Sequence, residues 1–477
     1  FQNYLGGILV KICLMLEGSY PYTVGGVSSW VHQLIKNFPQ HEFHLFCIGA
    51  ESTMKGNYKY ELPSNVTGIT EVFLSDVFLD TNAVKLRNIS RWESEEIKNL
   101  MLGNPDKWEY IFNFFIREKR VVSKFLMSNC FYDIAKQVYK KGYDKIRFID
   151  FLWTLRSMYL PLFHILNNSP PKAELYHSVS TGYAGISASI GSYLYGTGFL
   201  LTEHGIYTRE REEEIIKADW VDLNLKSLWI SYFKSMSACA YKYAKKIVAL
   251  YEANSRIQGE LGAPEEKRLV IANGINTDEF NNLPSREGRD DRIYIGAIIR
   301  FSPIKDIKTM IYAINIVKSK NPNTVFYIMG PTDESPEYFD ECMELISTLK
   351  LKDVIITGRV DTKDYINKMD IVILTSISEA QPLSLMEAMA AGKPCVATNV
   401  GCCKELFEGA PGDNLGKAGL IAPVMNYEKI AEKILQLVEN PELRREMGKV
   451  AKKRINKYYT ERQFVEAYKM LYDSFNV

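Results

Sequence analysis

The sequence predicts an α/β protein made of two doubly wound, Rossmann-like domains that face each other across a cleft. Three observations predict it. Short apolar runs alternate with longer amphipathic segments along the whole chain, the pattern of parallel βα units. A polar stretch with Pro and Gly, NNLPSREGRDDR (Asn281–Arg292), breaks the series, and a second, more regular series begins after it. The chain has 477 residues, 46% of them hydrophobic, which suits two or three domains with real cores.

The opening residues 1–9, FQNYLGGIL, differ in character from the apolar run after them and are set aside from the fold reading, with Phe1-Gln2 a candidate remnant of a cleaved tag. KICLMLEG (Lys11–Gly18) predicts a buried strand ending in glycine. The loop SYPYTVGGVSS leads to a helix over Ser29–Asn37, and EFHLFCIG (Glu42–Gly49) is the next strand. Residues 52–170 are the least regular part, aromatic-rich and helical, and read as an insertion in the first domain. AELYHSVS (Ala173–Ser180), GFLLTEHG (Gly198–Gly205), KKIVALYEA (Lys245–Ala253) and RLVIANGI (Arg268–Ile275) continue the sheet, which places the first domain at 10–280.

The second series is IYIGAII (Ile293–Ile299), TVFYIMG (Thr324–Gly330), DVIITGRV (Asp353–Val360), DIVILTS (Asp370–Ser376), PCVATNV (Pro394–Val400) and GLIAPV (Gly419–Val424). Each pair brackets a helical stretch of roughly 15 residues, so 281–458 is a second doubly wound domain. The chain is helical from Glu428 to its end, and the last helix, 459–477, is expected to return to the first domain.

Charge and composition exclude several classes. Lys+Arg is 58 against Asp+Glu 57, a net charge of +1, unlike a dedicated nucleic-acid binder. The eight cysteines have no C-x-x-C spacing, which argues against a zinc site or a redox motif, and fits reduced, structural thiols in the cytosol. The most apolar long stretch, Ile146–Leu166, carries Arg147, Asp150 and Arg156, too many charges for a membrane span. Asn65-Val66-Thr67 and Asn88-Ile89-Ser90 match the glycosylation sequon and are read as chance. The basic stretch Arg444–Lys457 reads as a solvated helix face or as a face toward a membrane.

The chemistry concentrates in SEAQPLSLMEAMAAGKPCVATNVGCCKELFEG (Ser378–Gly409). Ligands of open α/β sheets bind beyond the C-terminal strand ends, and Glu379 stands just past a strand. Pro382 suits the first turn of a helix running to about Ala391 and stopped by Gly392. The N-terminal amides of Leu383 and Ser384 then offer a site for a diphosphate. Glu387 lies one turn further on, and carboxylates accept hydrogen bonds from the vicinal hydroxyls of sugars and riboses. Taken alone, two glutamates at this spacing read better as a cap and a surface residue.

With its surroundings, Glu379 and Glu387 followed by Ala388, Met389, Ala390, Gly392 and Pro394 resemble the retaining glycosyltransferases of family 4, of two-domain GT-B architecture. The resemblance implies that Glu379 contacts the donor hexose and Glu387 the ribose. A cationic grip comes after the first strand of the second domain, where Arg300 and Lys305 in IIRFSPIKD would neutralise the leaving diphosphate. The glycine usual before that arginine is Ile299 here. Gly25 and Gly26 resemble the family's glycine-rich loop, where backbone amides approach a phosphate or an acceptor. His204 in TEHGIYTREREEEI takes the place of a loop residue that contacts the donor sugar near the reacting carbon, while His177 reads as structural. NGINTDEF (Asn273–Phe280) resembles the family's hinge segment, with Asn276 where Asp is common.

The resemblance covers nearly the whole chain, and LMLEGSYPY with GGVSSWVHQLI and SEAQPLSLMEAMAAGKPCVAT is similar to the PelF branch, soluble transferases of Pel exopolysaccharide synthesis. It implies a cytoplasmic, metal-independent hexosyltransferase with no cofactor. A UDP-sugar would be its donor, a polysaccharide its acceptor and an inner-membrane synthase complex its partner. Rival readings are a sugar-nucleotide epimerase or a glycan phosphorylase of the same architecture, and a non-catalytic nucleotide-sugar-binding subunit. D-x-D, H-E-x-x-H, Walker A and G-x-G-x-x-G segments are absent.

Overall fold

The computed structural model describes residues 9–78, 89–116, 122–283 and 290–475. The chain divides into two compact units. One holds the chain up to Ala249, Asn254–Val270 and the stretch from Met470; the other holds Leu250–Ala253 and Ile271–Lys469.

The first unit is built on seven strands: β1 (Lys11–Glu17), β2 (Glu42–Gly49), β3 (Val66–Phe73), β4 (Leu175–Ser178), β5 (Gly198–Glu203), β6 (Lys246–Ala249) and β7 (Arg268–Val270). They form one sheet in the order β3-β2-β1-β4-β5-β6-β7, and every registered pair is parallel. Ile12–Leu16 of β1 and all of β4 and β5 are buried, because helices cover both faces of a parallel sheet. The helices are α1 (Gly26–Asn37), α2 (Arg91–Met101), α3 (Trp108–Ile116), α4 (Val122–Leu126), α5 (Asn129–Tyr139), α6 (Phe148–Leu166), α7 (Tyr183–Tyr195), α8 (Tyr207–Lys217), α9 (Lys226–Tyr243) and α10 (Glu252–Glu260).

Three sequence expectations are corrected in this unit. α1 starts at Gly26 rather than Ser29: Ser29 N already donates to the Gly25 carbonyl at 2.9 Å, and the amides before it are those a first helical turn leaves without an intrahelical partner. β3 falls inside the 52–170 stretch read as a helical insertion; it pairs with β2 at the sheet edge, and among the described residues the first α-helix of that stretch starts at Arg91. The sequence boundary at 280/281 falls later than the division between units at Val270/Ile271. Asn65 of the first sequon donates to the carbonyls of Ile35 and Phe38. Residues 1–8, Asn88 of the second sequon and 284–289 of the junction lie outside the described residues.

The second unit carries six strands: β8 (Ile293–Ile298), β9 (Thr324–Met329), β10 (Val354–Gly358), β11 (Ile371–Leu374), β12 (Cys395–Thr398) and β13 (Gly419–Ala422). Their order is β10-β9-β8-β11-β12-β13, again parallel throughout. The helices are α11 (Asp278–Asn281), α12 (Ile307–Lys320), α13 (Pro336–Thr348), α14 (Thr362–Ile366), α15 (Leu383–Ala390), α16 (Cys403–Glu408), α17 (Tyr427–Glu439), α18 (Pro441–Tyr458) and the first part of α19 (Glu461–Asp473), whose residues from Met470 belong to the first unit. α14 and α16, at five and six residues, are shorter than the expected crossovers. The C-terminal helical region is broken at Asn440 and again before Glu461.

Each sheet has one place where the strand order reverses, between β1 and β4 in the first unit and between β8 and β11 in the second. Ligands of such sheets bind beyond the strand ends at this point. The loops after β1, β4, β8 and β11 are therefore the ones that matter. All eight cysteines are free, and among the described residues no helix is long and apolar enough to cross a membrane.

Candidate functional site

In the second unit the loop after β8 and the loop after β11 are strapped together. Thr375 Oγ1 donates to the carbonyls of Lys305 (3.1 Å) and Asp306 (3.2 Å), and Ile377 N donates to the Ile304 carbonyl (2.8 Å). Asp306, in the left-handed region at φ 48°, caps α12 by accepting from Thr309 N. The strap turns the Lys305 side chain onto Glu379, with Nζ 2.5 Å from Oε1, and both side chains are about 15% exposed (15% and 14%). Ser376 Oγ donates to the same Glu379 oxygen at 2.7 Å. A largely enclosed cation and a carboxylate thus sit at the reversal point of the sheet, where low local dielectric strengthens what either one binds.

The loop carrying Glu379 is held from the other side by Gly401. This residue has φ 52°, and a Cβ there would stand 2.3 Å from both the Glu379 and Ala380 carbonyl oxygens. Next to it, Cys402 N donates to the Ala380 carbonyl at 2.9 Å. Gly330 plays a similar part at the end of β9: its φ is 154°, and a Cβ would meet the Ile299 carbonyl oxygen at 2.2 Å. The close approach lets Ile299 N reach the Met329 carbonyl (2.7 Å) and fixes the chain that leads to Arg300.

α15 begins right after this loop. Pro382 is its N-cap residue, one place earlier than the sequence suggests, and no side chain caps the helix or puts an acid in its first turn. The dipole and the first amides of α15, those of Leu383 and Ser384, are thus not satisfied by a local carboxylate. Glu387, half-buried one turn on, accepts from Thr362 Oγ1 at 3.4 Å. Burial pushes its carboxyl up to about 7, helped by Glu279 and Asp361 and opposed by the Thr362 bond and Lys363. Arg300 is exposed and paired with Glu334 at 3.1 Å. The structure therefore brings Lys305 and Glu379 into contact, while Arg300 and Glu387 engage other partners.

In the first unit, α1 begins at the second glycine of the Gly25-Gly26 pair. Gly25 is the N-cap residue in an extended conformation, with no side-chain cap and no acid in the first turn. Among the described residues nothing beyond the adjoining chain lies within 4 Å of where a Cβ on either glycine would stand, so packing among them requires neither glycine. His204, just past β5, is 8% exposed, and its Nε2 has no hydrogen-bond partner among the described residues. Trp30 of α1 meets its ring edge-on at 4.5 Å, and burial lowers its pKa to about 4, so the imidazole is neutral. His177 has both ring nitrogens engaged, Nδ1 with Tyr472 OH and Nε2 with Thr202 Oγ1, each at 2.9 Å. It ties β4 to β5 and to the C-terminal segment.

Two carboxylates that sequence reasoning passed over lie at the ends of β1 and β5. Glu17 accepts from Ala184 N at the start of α7, and burial raises its pKa. Glu203 accepts from Tyr241 OH (2.9 Å), Gln258 Nε2 (3.1 Å), Tyr207 N (3.2 Å) and Thr181 Oγ1 (3.4 Å), and burial pushes it up to about 7. The available signal was position: each is the last residue of a strand whose interior is mostly apolar. Thr375, Ser376 and Gly401 had no such signal.

Residues 10–266 match the family described as a domain of unknown function (DUF3492), and residues 278–454 match the family described as glycosyl transferases group 1. Among curated proteins, an N,N'-diacetylbacillosaminyl-diphospho-undecaprenol alpha-1,3-N-acetylgalactosaminyltransferase of Campylobacter jejuni is 26% identical over 53% of this chain and 67% of its own length. A poly(ribitol-phosphate) alpha-N-acetylglucosaminyltransferase of Staphylococcus aureus is 27% identical over 49% of this chain and 47% of its own. The match thus spans two thirds of the first relative and about half of the second. Among solved structures, Anabaena HepE in complex with UDP and glucose superposes with a TM-score of 0.59 at 16% identity, covering 98% of this chain and all of that one (100%). At that identity the likeness carries the two-sheet fold.

Proposed function

We infer that this chain, which belongs to the DUF3492 family and carries a group 1 glycosyl transferase domain behind it, transfers a hexosyl unit from a UDP-sugar to a growing exopolysaccharide of the Pel kind. UDP-glucose or a UDP-N-acetylhexosamine is the donor, anomeric configuration is retained, and no metal takes part. The enzyme works in the cytoplasm beside an inner-membrane synthase complex. The choice of UDP is supported by HepE, which was crystallised with it.

The observation that carries this reading is the Lys305–Glu379 pair beside the uncapped start of α15. The arrangement offers an anion two kinds of donor, the ammonium and the helix amides, and offers sugar hydroxyls one carboxylate. On this reading Lys305 turns from Glu379 to the diphosphate, Arg300 adds a second positive charge, and Leu383 and Ser384 bond the phosphate through their amides. Glu379 then accepts from the hexose hydroxyls and Glu387 from the ribose. In the first unit, His204 is the candidate for a bond to the donor sugar, and the Gly25-Gly26 loop for an approach of backbone amides to phosphate or acceptor. In the reaction the C1–O bond to phosphate breaks and an acceptor oxygen bonds to C1 on the same face. The acceptor's proton leaves with the phosphate. The protein supplies positioning and charge stabilisation.

A second reading keeps the nucleotide site without turnover, as a binding subunit. One experiment separates the readings. UDP, ADP and GDP are titrated calorimetrically into the protein and into Lys305→Ala, Arg300→Ala and Glu387→Ala, and UDP-sugars are then screened for turnover with EDTA present. Selective UDP binding that falls in the variants, with turnover of one UDP-sugar, supports the transferase. Selective binding without turnover favours the subunit, and no nucleotide binding overturns both.

A further inference from the structure

We propose that the outer face of α4, α5 and α6 in the first unit docks on an anionic lipid bilayer. One side of α6 is core: Phe151, Leu152, Leu155, Met158, Tyr159 and Leu162 are buried. The other side exposes Ile149 (51%) and Trp153 (52%), four residues apart on the same stripe. The patch continues onto the neighbouring helices. Arg156 stacks over the Trp153 ring at 4.9 Å and donates to the Leu126 carbonyl at 2.9 Å, which places Met127 (58% exposed) alongside. On the other flank Tyr132 of α5, 41% exposed, packs its ring against Phe148 at 5.4 Å. Indole, phenol, isoleucine and methionine thus form one outward surface, larger than the scattered single apolar residues that need no explanation.

Charge decides what covers it. Residues 122–156 carry seven basic residues, of which Lys124, Lys136, Lys140, Lys141, Lys145 and Arg147 are exposed, against Asp133, Asp144 and Asp150. That is a surplus of four positive charges in one segment, where the whole chain has a net charge of +1. A second copy of the chain would bring the same surplus against itself. An anionic bilayer complements it, and Trp, Tyr, Lys and Arg around an aliphatic centre are the residues that settle at the headgroup level. α6 lies along the surface, since no described helix can cross a membrane. This docking is independent of the donor site.

The test is flotation with vesicles of phosphatidylcholine alone and with roughly one-third phosphatidylglycerol, at low and high salt. The full chain is compared with Ile149→Ser/Trp153→Ser and with Lys140→Glu/Lys141→Glu, each checked for unchanged circular dichroism and unchanged UDP titration. The wild type should float with anionic vesicles, be released by salt, and ignore phosphatidylcholine; each double variant should bind on the order of tenfold less. Failure to float with anionic vesicles, or variants that float like the wild type, overturns the proposal. So does a wild-type dimer that Ile149→Ser/Trp153→Ser makes monomeric in the absence of vesicle binding, which would make the face a contact between copies.

Discussion

Replacing Gly401 by alanine tests how the fold sets the position of Glu379. At φ 52° the left-handed backbone costs an alanine about 1–2 kcal/mol. Its Cβ would sit 2.3 Å from the Glu379 and Ala380 carbonyl oxygens. An ordinary carbon–oxygen contact is about 3.3 Å or more, so the loop must retreat by roughly 1 Å. The retreat breaks the bond from Cys402 N to the Ala380 carbonyl, about 1 kcal/mol more, and draws the Glu379 carboxylate off Lys305. Together these cost about 2–3 kcal/mol, a drop of about 5–10 °C in Tm for a unit of this size. A displacement of 1 Å at a binding group costs on the order of a hundredfold in turnover. Gly412→Ala is the control, since Gly412 has φ 89° but nothing within 4 Å of its Cβ position: it carries the backbone strain and leaves Glu379 in place. Thermal melts and UDP titrations of both variants read the outcome. If Gly401→Ala melts no lower than Gly412→Ala and binds UDP as the wild type does, the steric coupling between Gly401 and Glu379 is wrong.

The same geometry sets four further outcomes. A double-mutant cycle on Lys305→Met and Glu379→Gln, measured by urea denaturation without nucleotide, should give a coupling of about 1–3 kcal/mol, and additive effects would mean the pair is not formed. Arg454→Met leaves Asp413 and the carbonyls of Leu406, Phe407 and Gly416 without their buried donor, so the second unit should lose about 3–5 kcal/mol in the same assay. His204 is lowered to about 4 by burial, so between about pH 6.5 and 4 the unfolded chain takes a proton that the folded one refuses. The contribution of His204 to stability is therefore level above pH 6.5 and falls as pH drops through that window, by up to about 3 kcal/mol; Glu203 and Glu387, raised to about 7, slope the opposite way, so the difference between wild type and His204→Gln is the quantity to measure. Glu387, raised to about 7, accepts ribose hydroxyls best when ionised, so UDP affinity should rise from pH 6 to pH 8 more steeply than in Glu387→Gln, whose remaining slope belongs to the phosphate.

Much of the fold was legible because its signals are local. The apolar runs of β1, β2 and β8 predicted their strands within a residue, since a strand covered on both faces is apolar at most of its positions. β3 was missed because an edge strand is covered less completely: of Val66–Phe73 only Val72 and Phe73 are buried, and Gly68 interrupts the run. Helix N-termini were misplaced where Gly25-Gly26 and Pro382 stand, residues whose propensity says little about a first turn. In the candidate site, Glu379 and Glu387 could be singled out by their place after a strand and along a helix. The straps of Thr375, Ser376 and Gly401 could not, because hydroxyls and glycines occur in every loop.

The order of amino acids was enough for the class of fold, the alternation of strands and helices, the charge balance and the short list of residues with the right chemistry. The packed chain was needed for the order of strands in each sheet, and with it for where each sheet reverses. Only packing lays Lys305 on Glu379, 74 residues away along the chain. Packing also creates the burial that makes His204 neutral and raises Glu203 and Glu387. The division has a physical cause. Periodicity and capping are set by neighbours within a turn or two, whereas a pKa, a register or a buried ion pair depends on which distant segments exclude water from the same few ångströms.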